Sequence, residues 1–387
     1  MAIYADYAAA APLRTEARNA MLEAFDAGLG NPSSVHDAGT RARARLEAAR
    51  EEVAAALGAH PLEIVFTSGA TEANNLALVG VAEARGTPIH LAVPATEHAS
   101  ILAPARGLAL RGHRLTVLRT DEHGRSDSRT AGDVAPDLLS VALVNAETGV
   151  IQDVAALAEA VRRRGGLIHV DAAQGAPFLP LATDDLGVDL LTLSSAKLGG
   201  PPGAGALYVR RGTALAPLHL GGPQELGLRA GTENVPALVG FATALALATA
   251  ERTRERSRLT VLRDRLRRAI ATTWPGAAFA LGENVASAPH IVNVTLPGVV
   301  GEDVVAALDL DGIAASTGSA CAAGAAEPSH VLLAMGRSER EAKSALRLSL
   351  GWGSSSNDVD AIMLALARVL ARVMNRSEEA AWPAHGS

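Results

Sequence analysis

The chain has 387 residues, of which 48% are apolar, enough to fill the cores of two domains. Its net charge is -6, so it lacks the basic surplus that would make nucleic acid its main ligand. The single cysteine, Cys321, excludes an internal disulfide, and the opening MAIYADYAAAAP lacks the basic and long apolar parts of a signal peptide. Cytoplasmic residence is the expectation. The apolar run Phe241–Ala250 is too short to cross a bilayer.

In chain order, Ala38–Leu57 reads as a polar, Arg/Glu-rich helix stopped by Gly58. From about residue 60 to 210, short β-branched or leucine-rich runs alternate with helical segments. Glu63–Thr67, Ile89–Val93, Leu115–Leu118, Leu139–Val144, Leu167–Asp171 and Leu190–Leu193 read as buried strands. Between them, Thr71–Arg85, Ala99–Arg111 and Val154–Arg164 have helical periodicity, with arginine or glycine at their ends. That alternation predicts a three-layer α/β domain around a mostly parallel sheet. Asn234–Ala271 predicts a helix long enough to bridge two domains, with room for a break. Beyond it, strand Ile291–Leu296, helix Glu302–Leu308, a small-residue loop over 315–326, strand Ala345–Leu350 and a helix over Asp358–Val373 predict a smaller α+β domain. The division expected is a large domain over 15–255 and a small one made of 1–14 and 256–387.

Only two of the 35 Lys and Arg side chains are lysine, at 197 and 343. A chain that otherwise uses arginine keeps an amine at Lys197, between the buried run Leu190–Leu193 and a Gly/Pro-rich loop. Imine chemistry requires a primary amine that can lose its proton, which guanidinium cannot do. At the C-terminal end of a strand, Lys197 is suited to bond an aldehyde cofactor. Such a cofactor, pyridoxal 5'-phosphate, also needs an anion cradle, an acid beside its ring nitrogen and a cover for its ring face. Thr67-Ser68-Gly69-Ala70-Thr71-Glu72 follows a strand and opens a helix, so its N-terminus can hold a phosphate or simply be capped by a hydroxyl. Asp171 ends a strand where α/β sheets bind ligands, and reads equally as a ring-nitrogen partner or a helix cap. His98, in ATEHAS, can cover the ring or serve only the structure.

The motifs YADYAAAAP, GNPSSVH, EIVFTSGATEANNLAL, TEH, ETGVIQD, HVDAAQ, GLRAGTENV, ASTGSACAAGAAEPSHVL and ALRLSLG cover almost the whole chain. In them the sequence resembles the NifS/IscS-like cysteine desulfurases, class V members of the pyridoxal-phosphate-dependent fold type I transferases. The resemblance implies a homodimer of two-domain subunits with the site at the interface. It implies Lys197 as the cofactor-bonding amine, Asp171 on the ring nitrogen, His98 on the ring face and Gln174 on the phenolic oxygen. Ala70, Thr71 and Ser194 would surround the phosphate, with Thr232 supplied by the second subunit. Asn145 and Arg347 would bind the substrate, Arg347 gripping its carboxylate as guanidinium does well. Cys321 would take sulfur from L-cysteine as a persulfide, leaving alanine, and pass it to a separate acceptor protein for Fe–S cluster assembly or thiolation.

The sequence also departs from the family pattern. Ala196 stands where histidine usually precedes the lysine, which removes a phosphate contact worth about 1.5–3 kcal/mol. Ala146 replaces the second asparagine of Asn-Asn-Glu, and Ala10-Ala11-Pro12 replaces Thr-Thr-Pro. Pro202, Pro223 and Leu226 also stand at less typical places. Ala146 and Ala196 are what would favour selenocysteine lysis or simple β-elimination over desulfuration. A weakened paralogue acting as a sulfur-transfer partner is the remaining alternative, opposed by the joint presence of Lys197, Asp171, His98 and Cys321.

Overall fold

The computed structural model describes residues 3–318 and 327–380, with side chains through residue 373. In chain order the elements begin with strand β1 (Ile3–Tyr4), helices α1 (Thr15–Asp26) and α2 (Asp37–Leu57), and strand β2 (Ile64–Thr67). Helix α3 (Ala70–Arg85), β3 (His90–Pro94), α4 (Ala99–Leu110), β4 (Arg114–Leu118), α5 (Ser128–Val134) and β5 (Leu138–Ala142) follow. Then come α6 (Val154–Arg162), β6 (Leu167–Asp171), α7 (Thr183–Leu186), β7 (Leu190–Ser194) and β8 (Gly205–Val209). Helix α8 (Val235–Thr273) leads to β9 (Ala278–Phe279), β10 (Ile291–Thr295), α9 (Gly301–Leu310) and β11 (Ile313–Ala314). Helices α10 (His330–Ala334) and α11 (Glu339–Lys343), strand β12 (Ala345–Ser349) and α12 (Ser356–Ala380) complete the order.

The chain forms two compact units, one of residues 10–145 and 151–253 and the other of 1–9, 146–150 and 254–387. The larger unit is built on a seven-stranded sheet of order β2-β8-β7-β6-β5-β3-β4. All its pairings are parallel except those of β8, which runs antiparallel to both β2 and β7. The C-terminal ends of the other six strands therefore share one edge, the side on which parallel α/β sheets place their ligands. Strands β2, β5, β6 and β7 are almost continuously buried, as expected of a sheet covered on both faces. Helices α3 and α4 pack together, as do α5 and α6, and with right-handed crossovers the strand order puts the two pairs on opposite faces. A core of Val65, Leu76, Leu91, Val93, Ile101, Leu138, Leu190 and Leu207 joins the sheet to α3 and α4.

Helix α2 is less polar in effect than its composition suggests. Leu46, Ala49, Arg50, Val53 and Leu57 form a buried stripe at helical spacing, and Gly58 closes the helix in a left-handed conformation. Buried Arg50 pairs through both terminal nitrogens with Glu225, each bond 2.8 Å. Strand β8 and helix α1 are elements that the sequence pattern did not announce. Helix α8 runs unbroken over 39 residues. It is, among the described residues, the one helix long and apolar enough to cross a membrane, and half of its most apolar stretch is buried in protein.

In the smaller unit β12-β10-β9 form an antiparallel sheet and β1 pairs in parallel with β11. Val150, Leu281, Val331, Leu332, Met335 and Ala345 belong to its core.

Candidate active site

Register across the large sheet fixes the first part of the site. Thr67 at the end of β2 and Ser194 at the end of β7 both pair with Gly205, the first residue of β8. A Cβ at Gly205 would lie 2.7 Å from the Gly69 Cα, so only glycine lets the turn after β2 settle there. Gly69 itself has φ 149° and ψ -179°, a conformation left to residues without a Cβ, and it offers no side chain to cap α3. The start of this 16-residue helix, with exposed Thr71 and half-buried Ala70, thus keeps its first N–H groups and positive dipole end for an anion. Glu72 is turned away from that role. Its carboxylate accepts from the Ser68 N–H at 2.7 Å and from Arg229 at 3.0 Å. Burial pushes its pKa up, but Ser68 and Arg229 hold it below the usual value.

Beside this turn, Ser194 leads directly into the short 3-10 turn Ser195–Lys197. The N-terminal segment laces that turn in place, since the Ala11 N–H donates to the Ala196 carbonyl and the Arg14 N–H to that of Gly199, both at 2.8 Å. Arg14 is in turn held by Glu251 at 2.8 Å. The alanines at 11 and 196 therefore act through their backbones. Lys197 is half-buried at the end of this turn.

Asp171 closes β6 and is 8% exposed. Its Oδ1 accepts from the Ala173 N–H at 2.9 Å and its Oδ2 from the Asn74 amide at 2.8 Å. Both partners are neutral, so the carboxylate is oriented without being neutralised. Gln174 lies buried in the turn that follows.

His98 precedes α4 as its N-cap, with Nδ1 accepting from the Ser100 N–H at 3.0 Å. Beside it Glu97 is buried, and its Oε1 accepts from the Ala142 N–H at 3.0 Å. Ala142 is the register partner of Asp171. Burial raises the Glu97 carboxyl to a pKa of about 8, with the Asp171 charge adding to the rise and the Ala142 N–H opposing it. Glu97 is thus a neutral acid at pH 7. Asn145 ties down the same loop, its Nδ2 donating to the Thr96 carbonyl at 2.9 Å.

Under Asp171 lies a second polar row. His169 is fully buried, its Nδ1 2.8 Å from the Ser140 hydroxyl and its Nε2 3.0 Å from that of Thr192. Burial drives its pKa down to about 3, so the ring is neutral. Sequence reasoning passed over Glu97, Asn74, Ser100 and His169, although all four lie in quoted motifs. Their type alone carries no signal, because what matters is which neighbour each meets across the sheet.

Thr232 is exposed in the loop lining a cavity of about 520 Å3 with His219, Gln224 and Arg229. The Arg50–Glu225 pair anchors this loop, and Glu225 also accepts from the Phe66 N–H at 2.7 Å. Glu225 and Leu226 both have positive φ, 47° and 61°, so the buried ion pair holds a strained turn.

Arg347 belongs to the smaller unit, in the middle of β12, and is 3% exposed. Its Nη2 meets Asp6 Oδ1 at 2.8 Å and its Nη1 donates to the Ala146 carbonyl at 3.1 Å. That contact uses the backbone of residue 146, so alanine supplies it as well as asparagine would. Glu147 is buried next to it and accepts from the Ser329 hydroxyl at 2.5 Å. Burial raises its pKa, opposed by Ser329, His330 and Arg347. Cys321 lies outside the described residues.

Within the larger unit the structure thus gathers Ala70, Thr71, His98, Asn145, Asp171, Gln174, Ser194 and Lys197 along one sheet edge. The model of the family described as aminotransferase class-V matches residues 3–362. The chain belongs to this family. It is 38% identical to the cysteine desulfurase IscS of Dictyoglomus turgidum over 375 residues, which cover 96% of this chain and 95% of that one. Among solved structures it is similar to a NifS-like protein, with a TM-score of 0.90, 31% identity and coverage of 96% and 100%. It is likewise similar to SspA in complex with cysteine, with a TM-score of 0.80, 33% identity and coverage of 90% and 98%. The expected fold, a fold type I transferase with a mostly parallel sheet, is the one observed.

Proposed function

We propose that the chain is a pyridoxal-phosphate-dependent cysteine desulfurase, converting L-cysteine to L-alanine and leaving the sulfur as a persulfide on Cys321. The observation that carries this reading is the Asp171 carboxylate, buried and fixed by two neutral donors on the sheet edge where β7 delivers Lys197. A buried carboxylate with no salt bridge among the described residues suits a protonated ring nitrogen. The residues fit the rest of the cofactor too: the uncapped start of α3 and Ser194 suit its phosphate, Lys197 its aldehyde and His98 its ring face. Gln174 is assigned to the phenolic oxygen, and Thr232 to the phosphate held by a second subunit in a homodimer.

When bound, the cofactor supplies an electron sink for negative charge at the substrate α-carbon. The side chains of this chain do the remaining work. Arg347 takes the substrate carboxylate, with its guanidinium already aimed by Asp6 and the Ala146 carbonyl. Asn145 holds the loop beside His98. Lys197 Nζ takes the α-proton, Cys321 reacts as a thiolate, and His98 takes part in the proton movements beside them as a donor. The Cys321 sulfur then forms an S–S bond to the substrate sulfur while the substrate C–S bond breaks. The electron pair of that bond stays on the carbon fragment, which is protonated and leaves as alanine. The persulfide passes to a separate acceptor protein, a scaffold for Fe–S assembly or a thiolation carrier, in the cytoplasm. The large domain over 15–255 would carry the cofactor, and the remaining segments the cysteine loop.

The test uses the purified protein loaded with cofactor. Its visible absorption should respond to L-cysteine, and alanine and sulfide should form in equal amounts when a reductant is present. Cys321→Ala should keep the absorption and lose reductant-dependent sulfide. Unchanged sulfide from that variant would mean β-elimination instead.

A further inference from the structure

A chain of buried hydrogen bonds connects two residues that the mechanism uses separately. Asn74, on the inner face of α3, is fully buried. Its Nδ2 donates to Asp171 Oδ2 at 2.8 Å and to the Ser100 hydroxyl at 2.9 Å. The Ser100 hydroxyl lies 2.8 Å from His98 Nδ1, which also accepts from the Ser100 N–H.

The direction of every proton follows from the two ends. A carboxylate can only accept, so the Asn74 atom facing Asp171 is the amide nitrogen, and its second hydrogen serves Ser100. Ser100 Oγ, already accepting, has its own hydrogen left to give to His98 Nδ1. At the far end a backbone N–H can only donate, so Nδ1 faces two donors and must be the bare nitrogen of the ring. Among the described residues the buried Asn74 Oδ1 has no hydrogen-bond partner, and turning the amide over would place that acceptor against Asp171. His36 and His60 cap their helices through a backbone N–H to Nδ1 in the same way, but without a hydroxyl behind them.

We propose that Asn74 and Ser100 are positioning residues that lock His98 in the Nε2–H tautomer and tie its ring to the Asp171 carboxylate. The neutral ring then presents a hydrogen at Nε2, while its one lone pair, at Nδ1, is occupied by Ser100, so its proton is given from Nε2. The inference rests on the proposed role of His98 in proton handling, but its main test does not require turnover.

Nitrogen-15 NMR of the full-length protein without cofactor reads the tautomer of each histidine directly. His98 should appear as Nε2–H, and Ser100→Ala should reduce that preference about fivefold, the loss of one hydrogen bond. Ser100→Thr, which keeps the hydroxyl, should restore it. His36 and His60 should be unchanged in both variants, which separates a local effect from a general loosening. In the loaded enzyme, Ser100→Ala should lower kcat for L-cysteine by a similar factor and leave KM unchanged. An Nδ1–H ring in the unaltered protein, or a ratio that Ser100→Ala does not move, would overturn the proposal. Failure of L-cysteine turnover with the NMR result intact would count against the desulfurase reading alone.

Discussion

Asp171 in the larger unit and Arg347 in the smaller are both more than nine-tenths buried, but they are held in opposite ways. Asp171 is fixed by an amide and a backbone N–H, so its position is set and its charge is left over. Arg347 is fixed by an anion, Asp6, and a carbonyl, so most of its charge is already answered inside the protein. The difference matches the ligands proposed for them. A resident cofactor bound once can be met by a standing charge, whereas a substrate that comes and goes is better met by a guanidinium aimed in advance. The first arrangement spends stability to bind tightly, and the second protects stability while keeping a binding group ready.

The contrast can be broken most forcefully at Asp6. Asp6→Ala removes the carboxylate bonded to Arg347 and leaves its buried charge with a carbonyl contact and the Glu147 carboxyl nearby, and should destabilise the protein by about 3 kcal/mol or more in urea unfolding. If the variant unfolds at the same midpoint, the two corners are not different in kind. Glu97→Gln sharpens the picture of the Asp171 corner. The Glu97 carboxyl rises from 4.5 in the unfolded chain to about 8 in the folded one. Its contribution to stability is therefore complete below pH 4.5 and fades as pH climbs through 8. The amide variant should match the natural protein at pH 4 and exceed it at pH 6 by on the order of 2 kcal/mol. Equal unfolding midpoints at both pH values would show that Glu97 ionises without cost. Asp171→Asn should have the smallest effect on folding, within about 1 kcal/mol, because its partners are neutral. The same variant should retain little cofactor through gel filtration, and full retention would mean that the standing charge does not matter.

The strands of the large sheet were legible from their apolar runs. Six apolar stretches between residues 63 and 194 mark β2 to β7, each within two residues of its observed ends, but β4 was expected to be buried and, as the edge strand, is buried only at Leu118. Strand β8 was not, since Gly205-Ala206-Leu207-Tyr208-Val209 has a single β-branched residue and directly follows a Gly/Pro loop. Its burial comes from being inserted between β2 and β7, a non-local fact. Lys197 and Asp171 were legible because each ends a recognisable strand and has a chemical type that the chemistry requires. Asn74, Ser100 and Glu97 were not, because α3, α4 and β5 meet only in the folded chain, and asparagine or serine in a helix carries no mark of what it will face. At Ala146 the contact made with Arg347 comes from a carbonyl that any residue supplies, which is separate from the side-chain amide that the family pattern has there.

The most direct measurement is the mass of the loaded protein after brief exposure to L-cysteine without reductant. One added sulfur atom, located on the peptide containing Cys321 and absent from Cys321→Ala, is the predicted result. An unchanged mass while the substrate is consumed would contradict the account.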